Sequence, residues 1–206
     1  MPKAAHRESD SIGVDPEVNS NPSMTIRSNS AVIIRQSLMK RVQRAQAGLI
    51  GLRPAVAADE PFLYRVYAST RKEEIQLFDW NDDQKTAFLT MQFGAQRLSY
   101  RQSFPGWGYD IISIGDQPVG RFFVHRGADA IRVVDLGLLP EYRSQGIGSA
   151  LLKAVLEEAD EAGMPIRLHA ESFNRAMKLY ERLGFRAVRI NGIHVEMECA
   201  PRITLE

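Results

Sequence analysis

The run Arg143-Ser-Gln-Gly-Ile-Gly148 is where the residue types and their spacing speak most directly of chemistry. An apolar stretch, Ile131 to Leu139 closed by Pro140, precedes it, and an amphipathic stretch follows it. A glycine-rich turn from strand to helix leaves the first helical N–H groups unpaired at the positive end of the helix dipole, which suits a pyrophosphate. Gly146 and Gly148 lack a Cβ, so backbone can approach such an anion closely. A dinucleotide fingerprint would need a small residue where Leu151 stands, and a P-loop would need Gly-Lys-Ser/Thr; neither is present. Further on, Tyr180 offers a phenol able to donate a proton, and His169 and Glu171 share one face of a short alternating run.

These groups need elements to position them. Leu49 to Pro54 reads as a first strand, Asp59 as the cap of a helix through Phe62, Val66 and Tyr67, and Asp82 as the start of a second helix reaching about Arg101. Runs at 109–114 and 119–124, joined by Gly115-Asp-Gln-Pro118, predict a hairpin. Next come the strand at 131–139, a helix with Ile147, Leu151, Val155 and Ala159 on one face, and a strand at 166–171. A helix opened by Asn174 and stopped by Gly184 precedes two final strands ending near Glu198.

Two signatures in that order carry a resemblance. Arg-x-x-Gly-x-Gly after a strand ending Leu-Leu-Pro-Glu-Tyr, and Asn174-x5-Tyr180-x3-Gly184-Phe185, look like those of the general N-acetyltransferase (GNAT) superfamily. The resemblance covers roughly residues 49–200. It implies an α/β fold with a central mixed sheet flanked by helices, acetyl-CoA as co-substrate, and acetyl transfer to a primary amine of a small molecule, peptide or protein. By the same resemblance the coenzyme A site is Leu138, Leu139, Arg143, Ser144, Gln145, Gly146, Ile147, Gly148, Ser149 and Asn174. The backbone N–H of Leu138, beside Leu136, would polarise the thioester, Gly137 and Pro140 would help splay the strand, and Tyr180 would assist the departing thiolate.

The base is not given by the motif. The family's usual strand positions hold Arg132 and Val134, and strict alternation turns Asp135 to the other face. Some relatives place a Glu where His169 stands, which leaves His169, Glu171 or an ordered water. Acceptor walls are expected from 71–80 and 104–109, with Trp80 and Trp107 as candidate substrate contacts. Two other readings stay open: a coenzyme A-binding regulator with little turnover, and an interaction protein.

Composition narrows the class. Of 206 residues, 44% are hydrophobic and 25% charged, as in ordinary globular proteins. A net charge of +1 gives no case for a nucleic-acid partner. The single Cys199 excludes a disulfide framework and, with no run of 18 apolar residues, points to a cytoplasmic protein without a membrane span. Four scattered histidines give no metal-ligand spacing, so no metal is expected. Residues 1–48 are expected to form an N-terminal extension, without fixed structure to about residue 30 and then a basic amphipathic helix. On it Ile34, Leu38 and Val42 share a face, and Arg35, Lys40, Arg41 and Arg44 supply charge. The domain proper is expected at 49–206, in a possible homodimer.

Overall fold

The computed structural model describes residues 36–41 and 50–202, all within one compact unit spanning 35–206. In these residues seven strands form one mixed sheet in the order β1-β2-β3-β4-β5-β7-β6. Their ranges are β1 Ile50–Pro54, β2 Asp110–Ile114, β3 Gln117–Arg126, β4 Ile131–Leu138, β5 Ile166–Glu171, β6 Arg186–Asn191 and β7 His194–Cys199. The helices are α1 (residues 36–41), α2 Glu60–Ile75, α3 Asp82–Ser103, α4 Ile147–Ala162 and α5 Met177–Arg182. Element order and sheet class are those expected from the sequence, a mixed α/β fold. Among the described residues no helix is long and apolar enough to cross a membrane.

The apolar periodicity decides which side each helix takes. The eight buried residues of α4, from Ile147 to Ala159, pack on Ile112, Val119, Phe122, Ile131, Val133, Ile166 and Leu168. Leu63 and Tyr67 of α2 and Phe93 of α3 close a second core over Ile111, Phe123 and Tyr109 on the opposite face. Asn81 starts α3 by reciprocal capping: its Oδ1 accepts from the Gln84 N–H at 2.9 Å, and the Gln84 Oε1 accepts from the Asn81 N–H at 2.9 Å. Asp59 differs from its expected role. It lies in a 3-10 turn, accepting from the Val56 N–H at 2.8 Å and from Arg53, and makes no side-chain cap for α2.

Helix α1 is docked. Leu38 is only 2% exposed and joins the α4 core, while Arg41 Nη1 donates to Glu161 at 2.7 Å. Ile34, Val42, Arg35, Arg44 and residues 1–30 lie outside the described residues. At the other extreme, all six residues of the edge strand β6 are exposed, Ile190 to 70% and Val188 to 56%.

Two irregularities shape the centre of the sheet. Pairing of β3 with β4 slips between Phe123↔Asp135 and Val124↔Val133, leaving Val134 as a bulge. Parallel pairing of β4 with β5 covers only Ile131 to Val133 against Ile166 to Leu168, so beyond these residues the two strands part from each other while β4 stays paired with β3 and β5 with β7.

Candidate active site

The divergence of β4 and β5 opens a cavity of about 450 Å³. Its floor is the end of β4 (Val134, Asp135, Leu136), one wall is β5 (His169, Ala170, Glu171), and Tyr180 of α5 and Asn174 close one side. Tyr67, Thr70 and Arg71 of α2 and Tyr100 of α3 face it from the other sheet layer.

Backbone geometry turns the Leu138 N–H away from β3, to the side on which β5 lies. The Leu139 N–H donates to the Val119 carbonyl at 2.9 Å, so Leu139 is bonded to β3 and its neighbour Leu138 must point its N–H and C=O the other way. The Leu138 carbonyl on that side accepts from Arg143 Nε at 2.9 Å. Arg143 Nη2 donates to the backbone carbonyl and hydroxyl of Ser69 at 3.1 and 3.0 Å. Arg143 thus ties the glycine loop to β4 and α2. Burial and the nearby Arg175 cation both push the Arg143 pKa down, which places a second cation near the loop that the motif did not reveal.

Ser144 at φ +60° and Gly146 at φ +84° turn the chain sharply into α4. Gln145 Nε2 steadies the turn on the Glu141 carbonyl at 2.7 Å, and Ile147 is buried beneath it. No side chain caps α4 and no acid lies in its first turn. The first intrahelical bond runs from the Ala150 N–H to the Gly146 carbonyl, so the N–H groups of Ile147, Gly148 and Ser149 have no partner within the helix. A Cβ added at Gly148 would meet only Leu136 Cδ2, at 3.7 Å, so the protein itself does not require glycine there.

Tyr180 packs edge-on against Phe185 at 6.0 Å, and burial raises its pKa, with the charge of Asp135 adding to the rise. Its phenol therefore stays protonated. Asn174 Oδ1 accepts from the Ala176 N–H at 2.8 Å and shapes the approach to α5. On β5, His169 is exposed and sits opposite Glu196, while Glu171 sits opposite His194 and accepts from Arg71 at 3.2 Å.

Asp135 is a correction to strict alternation. Ile131 and Val133 face α4, and after the bulge Leu136 and Leu138 do so again. The inserted residue leaves Val134 and Asp135 consecutive on the α2/α3 face, so Asp135 enters the cavity instead of pointing away. Its Oδ2 accepts from Arg121 Nη2 at 2.7 Å and from the Tyr100 and Tyr109 hydroxyls at 3.4 Å. Burial, reinforced by that carboxylate, drives both phenols' pKa well above the usual value. Arg121 is 2% exposed and lies between the rings of Tyr67 and Tyr109, its Cζ 5.5 and 5.0 Å from their centroids. The sequence reading places Arg71 only within the expected wall 71–80, turns Asp135 to the other face and leaves Tyr100 and Arg121 unremarked, because their convergence depends on the bulge and on contacts across layers.

Of the walls expected at the acceptor site, Arg71 and Phe104 line the cavity, whereas Trp80 and Trp107 stand apart from its lining. Trp80 stacks on Phe78 at 4.5 Å and leans on Phe88. Trp107 packs on Tyr109 with the Arg97 and Arg101 guanidinium groups about its ring. Among the described residues no group of three or more His, Cys, Asp or Glu is arranged to hold a metal ion.

A family model described as the acetyltransferase (GNAT) family matches residues 63–185, from α2 through the end of the second signature. The chain belongs to the GNAT acetyltransferase family. GNAT members are acyl-CoA-dependent N-acetyltransferases. Solved structures share the GNAT fold at low identity. The PaiA N-acetyltransferase from Thermoplasma acidophilum, in complex with coenzyme A, is 19% identical with a TM-score of 0.57, covering 73% of this chain and 98% of that one. An acetyltransferase from Thermus thermophilus is also 19% identical, with a TM-score of 0.53 over 74% of this chain and 97% of its own. The ribosomal-protein-S18-alanine N-acetyltransferase from Escherichia coli is 16% identical, with a TM-score of 0.52 over 77% and 97%.

Proposed function

We propose that the protein transfers an acetyl group from acetyl-CoA to a primary amine by direct attack in a ternary complex. One observation carries this: the Leu138 N–H points away from β3 to the side on which β4 and β5 part, and the half-buried, protonated Tyr180 lines the cavity there. A thioester carbonyl at Leu138 would receive a hydrogen bond that strengthens as negative charge builds on its oxygen. Tyr180 is placed to give its proton to the departing sulfur.

The binding residues suit the co-substrate. The free N–H groups of Ile147, Gly148 and Ser149, with Gly146 behind them, would hold the pyrophosphate, with Ser144 and Gln145 shaping the turn. Leu138, Leu139 and Asn174 would border the pantetheine arm. When bound, acetyl-CoA supplies an activated acetyl group. His169 on the open wall, with Glu171 beside it, would pass the amine proton towards solvent, and Asp135 would hold the amine as it arrives.

The acetyltransferase domain is assigned to 49–206 with α1 docked on it, and cytoplasmic location and a homodimer remain part of the proposal. The test is release of free thiol from acetyl-CoA in the presence of an amine panel, with acetylated product identified by mass. Tight coenzyme A binding with no thiol release from any amine would favour a regulator that has kept the fold and lost turnover.

A further inference from the structure

Two charged groups of opposite sign line the cavity, and each has polar atoms that take no part in its ion pairs. Arg71 reaches from α2 to β5, where Nη1 donates to Glu171 at 3.2 Å, and the same nitrogen donates to Glu74 on α2 at 3.1 Å. Neither bond uses Nε or Nη2, the pair of donors whose parallel N–H groups match the two oxygens of a carboxylate. Tyr67 lies against the guanidinium, 6.0 Å from its centroid, which helps to fix the plane of the group. Asp135 presents the mirror situation. Arg121, Tyr100 and Tyr109 all converge on Oδ2, whereas Oδ1 takes part in none of those bonds, and the side chain is 10% exposed.

The two groups line one cavity and share neighbours. The Tyr100 hydroxyl is bonded to Asp135, and it also feels the fields of both Asp135 and Arg71. Tyr67 is flanked by both Arg71 and Arg121. The cavity lining has four arginines, Arg71, Arg121, Arg132 and Arg167, so a diamine would bring its second cation among like charges.

We propose that the acceptor is a small amine that also carries a carboxylate, with its ammonium at Asp135 Oδ1 and its carboxylate on the Nε/Nη2 edge of Arg71. An α-amino acid is the simplest member of that class. Glu171 is then a competitor for Arg71 in the empty site, and it orients the guanidinium until the acceptor carboxylate arrives. The assignment rests on the acetyltransferase reading, but it concerns binding and can be tested without turnover.

The experiment is calorimetric titration of the coenzyme A-loaded full chain with matched sets: each standard amino acid, its amide, the corresponding decarboxylated amine, and putrescine as a diamine. At least one amino acid should bind, at least about tenfold more tightly than its amide or amine, the range expected for losing one charge-assisted bidentate contact. Arg71→Gln should abolish that preference, while Glu171→Gln, by freeing Arg71, should retain or strengthen amino acid binding. Amides or amines binding as tightly as the acids would overturn the proposal. So would weaker amino acid binding in Glu171→Gln, since that would make Glu171 the ammonium site, or binding confined to putrescine. Absence of binding by every amino acid would overturn it as well. Failure of the parent reading looks different: amino acids would bind with the expected preference, yet none would release thiol from acetyl-CoA.

Discussion

Changing Asp135 to Asn isolates the charge at the centre of the site, because the amide keeps the size of the carboxylate and an oxygen for the two phenols. What it removes is, among the described residues, the only carboxylate bonded to Arg121, a guanidinium 2% exposed whose Nε and Nη1 have no hydrogen-bond partner there. The remaining polar contact is Nη2 to Gln96 Oε1 at 3.2 Å, and the rings of Tyr67, Phe93 and Tyr109 are present with or without the charge. Breaking a buried pair from one side typically costs about 3–5 kcal/mol. For a domain of this size each kcal/mol moves the melting temperature by roughly 2–4 °C, so the variant should melt roughly 6–20 °C below the parent. Adding Arg121→Met removes the stranded cation and should recover most of the loss, since an apolar replacement of a whole buried pair is often neutral or better. Thermal denaturation of the parent, both single variants and the double variant closes the cycle. An Asp135→Asn protein melting within about 2 °C of the parent, or a double variant less stable than the two losses added together, would refute the account of this pair.

Other expectations follow from the same geometry. Tyr180→Phe removes the proton donor while keeping the ring on Phe185, so turnover should fall roughly 10²–10⁴-fold with acetyl-CoA affinity little changed; turnover within about twofold of the parent would make Tyr180 a packing residue. Gly148→Val should fold, because only Leu136 lies near the new Cβ, yet lose coenzyme A binding by calorimetry; unchanged affinity would move the pyrophosphate elsewhere. Leu38→Ala should cost about 2–5 kcal/mol and lower the melting temperature by roughly 4–20 °C, because Leu38 is part of the core; an unchanged melting temperature would show α1 to be dispensable.

Much of this was readable from the chain because it depends on local rules. The element order followed from period-2 and period-3.6 apolar spacing, and the sharp entry into α4 followed from glycines that adopt or permit unusual backbone. Tyr180, His169, Glu171 and Asn174 all border one cavity because they sit on β5, on α5 and on the short turn between them, whose relative placement the motif spacing carries. Asp135 was misplaced for a physical reason: alternation is a rule for regular strands, and nothing in Val133-Val134-Asp135 marks which residue will be left unpaired. Arg71 and Glu171 meet across 100 positions, a separation at which no periodicity applies. The cap assigned to Asp59 failed because Arg53 and the Val56 N–H compete for its carboxylate more effectively than the helix end does.

The last strand has a consequence for the molecule in solution. A sheet whose outermost member β6 shows apolar side chains such as Val188 and Ile190, with no strand among the described residues paired along its outer edge, is a template on which further strands can grow. What interrupts growth is a set of imperfections: Val188 is an unpaired extra residue between Ala187↔Met197 and Arg189↔Glu196, and Arg186 and Arg189 place charge on either side of it. A smoother, more regular β6 would satisfy sheet geometry better and leave the chain prone to polymerise.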